Sequence, residues 1–464
     1  MKGESFPVKI GLEVHGYLNT GEKLFCMCKT DFLLAGQNSR ICPICTGTPG
    51  SKPMLVNASA VQKLIQVALV LNCKVNSGKD LIWQRKHYNW ADLPKGYQNT
   101  ISGAHALLPA VNGRFNGVGI REVHLEEDPA QWNPETGRIN YNRSGLPLVE
   151  IVTEPDFSDA DMVVEWLKNL LLTLSYVKAF RKNGGIKVDV NVSTYGERVE
   201  MKNLNSIEKI RKAIEYEVAR QIEDYKNKIV QGRETRQFDE KLGKTFLMRQ
   251  KEGQADYRFI PDPDLPVLKL REKEISKIKR MLPELPDKKL EKMIKKFKID
   301  DVSAKILSKN LELVEFVEEL VSSGVNVAKN ISWITIELLR VLNWNKKTLE
   351  DEDVNIKAEH LAELIKEVEK GKITPLKAKQ IMNDFVPESF SIKDSKEEVG
   401  MIDDKEIENL CKQVISKNAK VVEDYRNGKV EGLNWLIGQV MKLSGRRADY
   451  RVVRERLERL IGEG

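Results

Sequence analysis

The sequence predicts an α+β protein: an antiparallel-sheet domain over residues 1–285, an all-helical domain over 286–398 and a small helical tail domain over 399–464. Three observations predict it. Runs of two-residue alternation recur through the first half; from about Met281 the apolar spacing becomes that of helices joined by short turns; and Gly400 and polar neighbours break that pattern between Ser391 and Met401. A chain of 464 residues, 41% hydrophobic and 31% charged, is long enough for several globular domains at about 150 residues each. Its start, Met1-Lys-Gly-Glu-Ser-Phe-Pro7, lacks the apolar centre of a signal peptide, and no run approaches the roughly 18 apolar residues of a membrane span. A cytoplasmic protein is therefore expected. The net charge of +7 is modest and by itself says little about nucleic acid.

The first strand is Val8-Lys-Ile-Gly-Leu-Glu-Val-His15. Alternation puts Val8, Ile10, Leu12 and Val14 on a core face and Lys9, Glu13 and His15 on the other, where Glu13 and His15 stand side by side. A polar outer face is the plain reading; a shared metal ion or phosphate group is the other, and it gains because the arrangement recurs. Next come Cys26-Met-Cys28, thirteen residues, and Cys42-Pro-Ile-Cys45. Two close thiolate pairs in a reducing compartment suit the tetrahedral sulfur site of a structural zinc, in a loop at 24–50 too small to hold itself by its own core. Cys73 and Cys411 stand apart. Asn57 is a fitting N-cap for a helix with Leu64, Val67, Ala68 and Leu71 on one face. The stretch Trp83–Gln98 mixes basic, aromatic and turn residues with no regular period, as ligand loops do. Arg85, Lys86, Lys95, Tyr88 and Tyr97 are candidates there to grip phosphates and stack on a base or ribose, against the alternative of a solvated loop.

In Val118–Asp128, alternation aligns Glu122, His124, Glu126 and Asp128, a load of acid that calls for a cation. Pro147–Glu154 carries Glu150 inside an apolar strand, where an unpaired buried carboxylate would cost on the order of several kcal/mol. Ile186–Ser193 turns Ile186, Val188, Val190 and Val192 inward and Lys187, Asp189, Asn191 and Ser193 outward, and Arg198–Lys202 repeats the pattern loosely. Strands apolar on one side and acidic on the other read as an antiparallel sheet whose open face holds Mg²⁺ and a polyphosphate. Glu13, His15, Glu126 or Glu127, Glu150 and Asp189 are the metal candidates, and interstrand salt bridges are the competing account. A single bulge decides between Glu126 and Glu127.

One flanking helix is expected from Ser158, with Val163, Trp166, Leu167, Leu170 and Leu171 inward; another, capped by Ser206, is expected to run to about Val230. Asp256–Pro266 holds three prolines, so it is no central strand and is expected to close the rim of the site. Beyond Met281, Ser303 is read as a cap, Leu361, Leu364, Ile365 and Val368 as a stripe, and Thr374-Pro375 as N-cap and N1. In the tail, the stripes Leu433, Leu436, Ile437, Val440 and Val453, Leu457, Leu460, Ile461 sit among Lys442, Arg446, Arg447, Arg451, Arg454, Arg456 and Arg459. Seven positive charges face three negative ones over that span, which suits a phosphate backbone; the alternative is a solvated face with pairs such as Glu455–Arg459.

Several longer motifs stand in order over nearly the whole chain. Gly11-Leu-Glu-Val-His15, the two cysteine pairs followed by Gly47-Thr-Pro-Gly50, Asp92-Leu-Pro-Lys-Gly-Tyr-Gln98, His124-Leu-Glu-Glu-Asp128, Pro147–Asp156 and Lys202-Asn-Leu-Asn-Ser206 resemble the B subunits of the tRNA-dependent amidotransferases. Also similar are Glu234–Asp264, Val422–Lys429 and Gly438–Lys442, whereas His87, Trp90, Ala91 and Ser51-Lys52 depart from the family pattern. Such enzymes convert Glu-tRNA(Gln) to Gln-tRNA(Gln), and often Asp-tRNA(Asn) to Asn-tRNA(Asn). The resemblance implies a glutamine-synthetase-like cradle with the zinc ribbon inserted, a helical domain and a tail that touches tRNA. It further implies a complex with an amidase (A) subunit that frees ammonia from glutamine and a small C subunit that wraps both. The related archaeal glutamyl-tRNA-specific subunit carries a large extra domain for which this chain has no room.

A carboxylate is a poor electrophile, so ATP must first convert it to an acyl phosphate. On this reading Glu13, His15, Glu150, Asp189 and Lys202 are catalytic; Glu13, His15, Glu150 and Glu126 or Glu127 hold Mg²⁺; and Arg85, Lys86, Lys95, Lys187 and Asn191 contact the nucleotide. Cys26, Cys28, Cys42 and Cys45 hold zinc, and Arg446, Arg447, Arg451 and Arg454 meet the tRNA. Ammonia is expected by an enclosed route, and neither Cys73 nor Cys411 sits in a nucleophile–base motif, in keeping with a glutaminase on another chain. Two other classes of answer compete: a non-catalytic zinc-ribbon scaffold for tRNA, and a free-standing ligase acting on a small carboxylate.

Overall fold

The computed structural model describes residues 6–181, 184–250, 258–351, 353–395 and 398–462, so Asp256 and Tyr257 of the expected rim stretch lie outside the described residues. The chain forms two compact units, Met1–Leu285 and Pro286–Gly464. Mixed α and β structure is found in the first and helices dominate the second.

Alternation along the first half becomes one large sheet, twelve strands among the described residues, with a separate short hairpin. In chain order the strands are β1 (Lys9–Tyr17), β2 (Lys74–Val75), β3 (Gln84–His87), β4 (Gln98–Thr100), β5 (Ala110–Phe115), β6 (Val118–Glu127), β7 (Gln131–Trp132), β8 (Ile139–Asn140), β9 (Pro147–Thr153), β10 (Ile186–Ser193), β11 (Val199–Leu204), β12 (Glu234–Asp239), β13 (Lys244–Gln250) and β14 (Arg258–Pro261). The sheet runs β13-β12-β11-β10-β1-β9-β6-β4-β3-β14, with β5 and β2 branching from β6, and β7 pairs β8 in the hairpin. Pairing is antiparallel as expected, except that β11 and β12 run parallel. With the long helix between them, these two strands can lie side by side in the same direction.

The apolar face is covered by α1 (Ala58–Val70), α2 (Ala160–Tyr176) and α3 (Ile207–Lys226), which bury Ile10, Leu12, Val14, Val123, Leu125, Val149, Ile151, Val188, Val190 and Val192 beneath them. Asn57 caps α1 through Ser59 and Ala60 N–H groups, and Ser206 caps α3 through Lys209 N–H, both as expected. The cap of α2 is Asp159 rather than Ser158: its carboxylate takes Met162 N–H, and the Ser158 hydroxyl donates to that carboxylate instead. Helix α3 stops at Lys226, short of Val230, where Asn227 caps it and Lys228 takes a left-handed φ of 59°. Two further expectations shift. Part of the aperiodic Trp83–Gln98 stretch is strand β3, held by β4 and β14 rather than by any apolar pattern of its own, and the proline-rich stretch supplies β14 as an edge strand.

In the second unit the stripes build two separate apolar clusters. Leu313, Val317, Leu338, Leu361, Leu364 and Ile381 belong to one; Ile407, Cys411, Leu436, Val440, Val453 and Leu457 belong to the other. Asp300, not Ser303, caps the Asp301–Leu307 helix by taking Ser303 N–H. Thr374 caps Pro375–Met382 as expected and also donates from its hydroxyl to Arg446 O at 2.5 Å, a stitch between the segments carrying the two clusters.

Candidate active site

Cross-strand register decides what meets on the polar face. His15 lies opposite Glu150 on β9 and Lys187 on β10, and Glu13 lies opposite Asp189. On the far side of β9, Glu150 faces His124 of β6 and Leu148 faces Glu126. The β6 bulge lies between Ile120 and Glu122, so from Glu122 onward Glu122, His124 and Glu126 stay in phase with Glu150, and Glu127 turns away. That register puts Glu126, and not Glu127, beside His15 and Glu150.

The outcome is a chain of acids and imidazoles across three strands. Glu150 Oε2 lies 3.3 Å from His15 Nε2 and 3.1 Å from His124 Nε2; His15 Nε2 lies 3.7 Å from Glu126 Oε1, and His124 Nδ1 lies 3.1 Å from Glu122 Oε1. Burial alone would discharge both imidazoles. Glu150 above all, helped at His15 by Glu126 and at His124 by Glu122, instead lifts His15 to about 9 and His124 to about 10. The two cations in turn hold the buried Glu150 carboxyl well below its ordinary value. Two atoms here lack a hydrogen-bond partner among the described residues: Glu126 Oε2, which is buried, and His124 Nδ1, which meets Glu122 only as an ion-pair contact. His15, Glu126 and Glu150 each bring a ligand atom within 4.8 Å of the others. An orphaned buried carboxylate oxygen beside an imidazole and a second carboxylate is a donor set that fits a hard divalent cation.

A second group adjoins the first. Glu13, Asp189 and Glu200 also bring oxygens within 4.8 Å of one another. Here a cation is built in: Lys202 Nζ lies 2.8 Å from Asp189 Oδ2 and 2.7 Å from Glu200 Oε1. Asn191 donates to Glu13 Oε1 at 3.2 Å, and Asn203 N–H donates to Asp189 Oδ1 at 2.8 Å. Burial, then Glu150, Glu200 and Asp189, push the Glu13 carboxyl up despite Lys202. Lys187 lies 3.7 Å from Asp128, whose carboxylate also accepts from Tyr17 Oη at 2.8 Å and Arg143 Nε at 2.7 Å.

Other candidates stand elsewhere. Glu127 pairs with Lys95, which also donates to Asn99 Oδ1 at 2.8 Å. Arg85 reaches Asp262 at 3.0 Å and Asp264 at 2.8 Å, with its guanidinium 4.5 Å from the Tyr97 ring centre. Lys86 lies on the same strand, in register with Gln98 and Phe259. The first two cations are therefore already engaged by the protein's own carboxylates. Glu200 belongs to the second group, and His124 with Glu122 backs Glu150 of the first, although the sequence did not single them out as ligands; their signal was the alternation within Val118–Asp128 and Arg198–Lys202.

The four thiols converge as their spacing implies. Cys26, Cys28, Cys42 and Cys45 place their sulfurs within 4.8 Å of one another, and Cys42 Sγ lies 3.9 Å from Cys45 Sγ. Four sulfurs at a tetrahedral metal, with bonds of about 2.3 Å, stand roughly 3.8 Å apart. The donor set fits zinc. Cys26 donating to it and the nearby Lys23 ammonium, against burial, draw the Cys45 thiol down from its ordinary value.

Compared with known proteins, residues 8–276 match the GatB/GatE catalytic domain and residues 315–461 the GatB domain. The chain belongs to the GatB family. It is 43% identical to the B subunit of the aspartyl/glutamyl-tRNA(Asn/Gln) amidotransferase of Methanocaldococcus jannaschii, with 98% of each chain covered. Proteins of the same name from Methanopyrus kandleri and Methanobrevibacter smithii are 40% and 39% identical, each over 97% of this chain and 99% of their own length. Both candidate metal groups fall within the stretch matched to the GatB/GatE catalytic domain, as do all four thiols. No helix of the described residues is long and apolar enough to cross a membrane.

Proposed function

We propose that this GatB-family chain activates the side-chain carboxylate of Glu-tRNA(Gln), of Asp-tRNA(Asn) or of both, using ATP and Mg²⁺, and converts it to the amide with ammonia from a partner glutaminase. The observation that carries the proposal is the orphaned Glu126 oxygen among His15 and Glu150. Neither a scaffold nor a salt-bridged sheet face needs a buried carboxylate oxygen left without a partner.

His15, Glu126 and Glu150 would hold the metal, with Glu13 and Asp189 beside them. When bound, the metal supplies neutralising charge for ATP oxygens during phosphoryl transfer. The protein's own groups do the rest. His124, set between Glu122 and Glu150, fixes the Glu150 carboxylate toward His15. Lys202, held by Asp189 and Glu200, offers a fixed positive charge beside Glu13, and Lys187 stands one strand from His15 to meet an oxyanion. Asn191 holds Glu13 in place, while Arg85, Lys86 and Lys95 serve at the nucleotide end. Ammonia must reach the activated carboxylate before water does, so it is best delivered under cover by the partner.

In the same reading, residues 1–285 form a glutamine-synthetase-like cradle with a zinc ribbon at 24–50, residues 286–398 a helical domain, and residues 399–464 the tRNA-binding tail. The partners are the amidase (A) subunit, the small C subunit and mischarged tRNA, and the setting is cytoplasmic. The test is an acceptor assay on mischarged tRNA with partner subunits, ATP and Mg²⁺, supplied with glutamine and then ammonium. Formation of Gln-tRNA or Asn-tRNA that Glu126→Gln abolishes with both donors supports the proposal. Unchanged amidation by Glu126→Gln and Glu150→Gln defeats it, and turnover of free glutamate without tRNA assigns the chain to small-molecule ligases.

A further inference from the structure

A buried lysine ordinarily pairs with a carboxylate, as Lys289 does with Glu318 at 2.7 Å. Lys23 does not. It is 1% exposed, and no carboxylate among the described residues pairs with it. Its ammonium donates instead to Arg40 O at 2.8 Å, to Tyr141 O at 3.3 Å and to Cys45 Sγ at 3.4 Å. Two neutral carbonyls do not balance a desolvated cation, whose burial is unfavourable when left uncompensated. Of the three groups it touches, only the Cys45 sulfur can carry a negative charge.

The charge count supports this. Four thiolates on a divalent ion carry a net charge of about −2, and such a centre loses affinity when that charge is left uncovered by donors around it. Cys42 N–H donates to Cys45 Sγ at 3.2 Å, and Lys23 adds a full charge to the same sulfur. No other ammonium or guanidinium donates to the sulfurs among the hydrogen bonds of the described residues.

Lys23 also reaches out of the cluster. Tyr141 opens the turn that leads into β9, and three more bonds join that turn to the cysteine loop or to the residue just after β6: Ser144 Oγ donates to Cys45 O at 2.6 Å, Leu24 N–H to Gly145 O at 2.8 Å and Gly145 N–H to Asp128 O at 2.9 Å. Glu150 lies five residues beyond Gly145. We propose that Lys23 is the counter-cation of the thiolate metal centre, and that through Lys23 the bound metal clamps the 141–145 turn that feeds the Glu150 strand. The inference rests on the zinc reading of the four thiols, not on the amidation reading.

The test uses full-length chain loaded with zinc, and with Co²⁺ as a spectroscopic probe. Wild type, Lys23→Met and Lys23→Arg are compared for metal release to a chromogenic chelator and for amide hydrogen exchange. Lys23→Met is expected to weaken metal binding 10–100-fold, the range seen for outer-shell partners, and to move the thiolate-to-cobalt absorption bands to lower energy as the N–H···S bond is lost. Exchange at 141–146 should speed up with no matching change in the helices of the second unit, and Lys23→Arg should restore most of both. Equal metal retention, equal bands and equal exchange in wild type and Lys23→Met would overturn the proposal. A fold too weakened to purify is answered by Lys23→Arg, which keeps the charge: if Arg loses the metal as readily as Met, the charge is not what holds it. A wild-type chain that binds neither zinc nor cobalt refutes the zinc reading itself.

Discussion

Glu150 organises the charges around it. Its one oxygen faces two imidazoles, and replacing it by glutamine removes the anion that keeps both charged. In metal-free Glu150→Gln, His15 and His124 should fall from about 9 and about 10 back toward or below 6.5, followed by histidine-labelled NMR on a chain with five histidines. The same shifts set the pH dependence of the wild type. Both imidazoles bind protons more tightly folded than unfolded, so the stabilisation they confer is full below about 6.5 and is lost as pH rises through about 9 and 10. The melting temperature of metal-free protein should therefore drop between pH 7 and 10, and less so in His124→Gln. A cation bound through His15 must first displace its proton. Apparent Mn²⁺ affinity is then expected to rise by up to tenfold per pH unit from 7 toward 9, with proton release visible by calorimetry in buffers of differing ionisation heat. Affinity independent of pH over that range would remove His15 from the ligand set. Glu126→Gln should lower Mn²⁺ affinity by about 100-fold or more, beyond the 10–100-fold typical of outer-shell partners.

At the scale of the element, β1 carries the site because its two faces are so unlike, and the back face leaves little room for change. A Cβ on Gly16 would stand 2.1 Å from the Phe180 ring, so alanine there must push the ring or the strand aside. Gly16→Ala should cost about 1–3 kcal/mol of stability by denaturant titration and should shift Mn²⁺ affinity as well, since His15 precedes it. That strand was legible in the sequence, as were β6, β9 and β10, because each alternates apolar and polar residues against a covered face. What alternation cannot reveal is which neighbour each strand takes. His124 therefore read as one polar residue among four, and only the β6–β9 register brings it to Glu150. Glu200 was overlooked for the same reason: it joins Asp189 across the β10–β11 ladder, past an irregularity between Val188 and Val190. Strand β3 escaped because Gln84-Arg-Lys-His87 has no apolar face to show. Its place is fixed by its pairing with β4 and β14, and by Arg85 reaching Asp262 and Asp264 far along the chain. The parity question at Glu126 and Glu127 was visible in the sequence but the register that places Glu126 beside Glu150 was not, since a bulge leaves no mark in residue type.

For the molecule as a whole, the proposed amidation requires that the chain also hold a tRNA, and the tail's cations differ in how far they are already engaged. Arg456 and Arg459 close on Glu408 at 3.2 and 3.3 Å, Arg454 on Glu458 at 3.0 Å and Arg447 on Glu398 at 2.9 Å. Lys442, Arg446 and Arg451 are exposed, and no side-chain ion pair among the described residues engages them. Arg446 is also held in place from behind, with its carbonyl taken by Thr374 and its φ left-handed at 63°. A phosphate contact made by a charge that must first abandon a carboxylate gains less than one made by a free charge, because an ion pair is exchanged rather than created. Lys442→Ala, Arg446→Ala and Arg451→Ala are therefore expected to weaken tRNA binding more than Arg456→Ala or Arg459→Ala. Each should lower the slope of log affinity against log salt by about 1, with little dependence on tRNA sequence. Filter binding across a salt series separates the two sets. Equal slopes in both would mean that the tail's charges act through its fold rather than by touching phosphates, and the tRNA would then have to be gripped by the first unit.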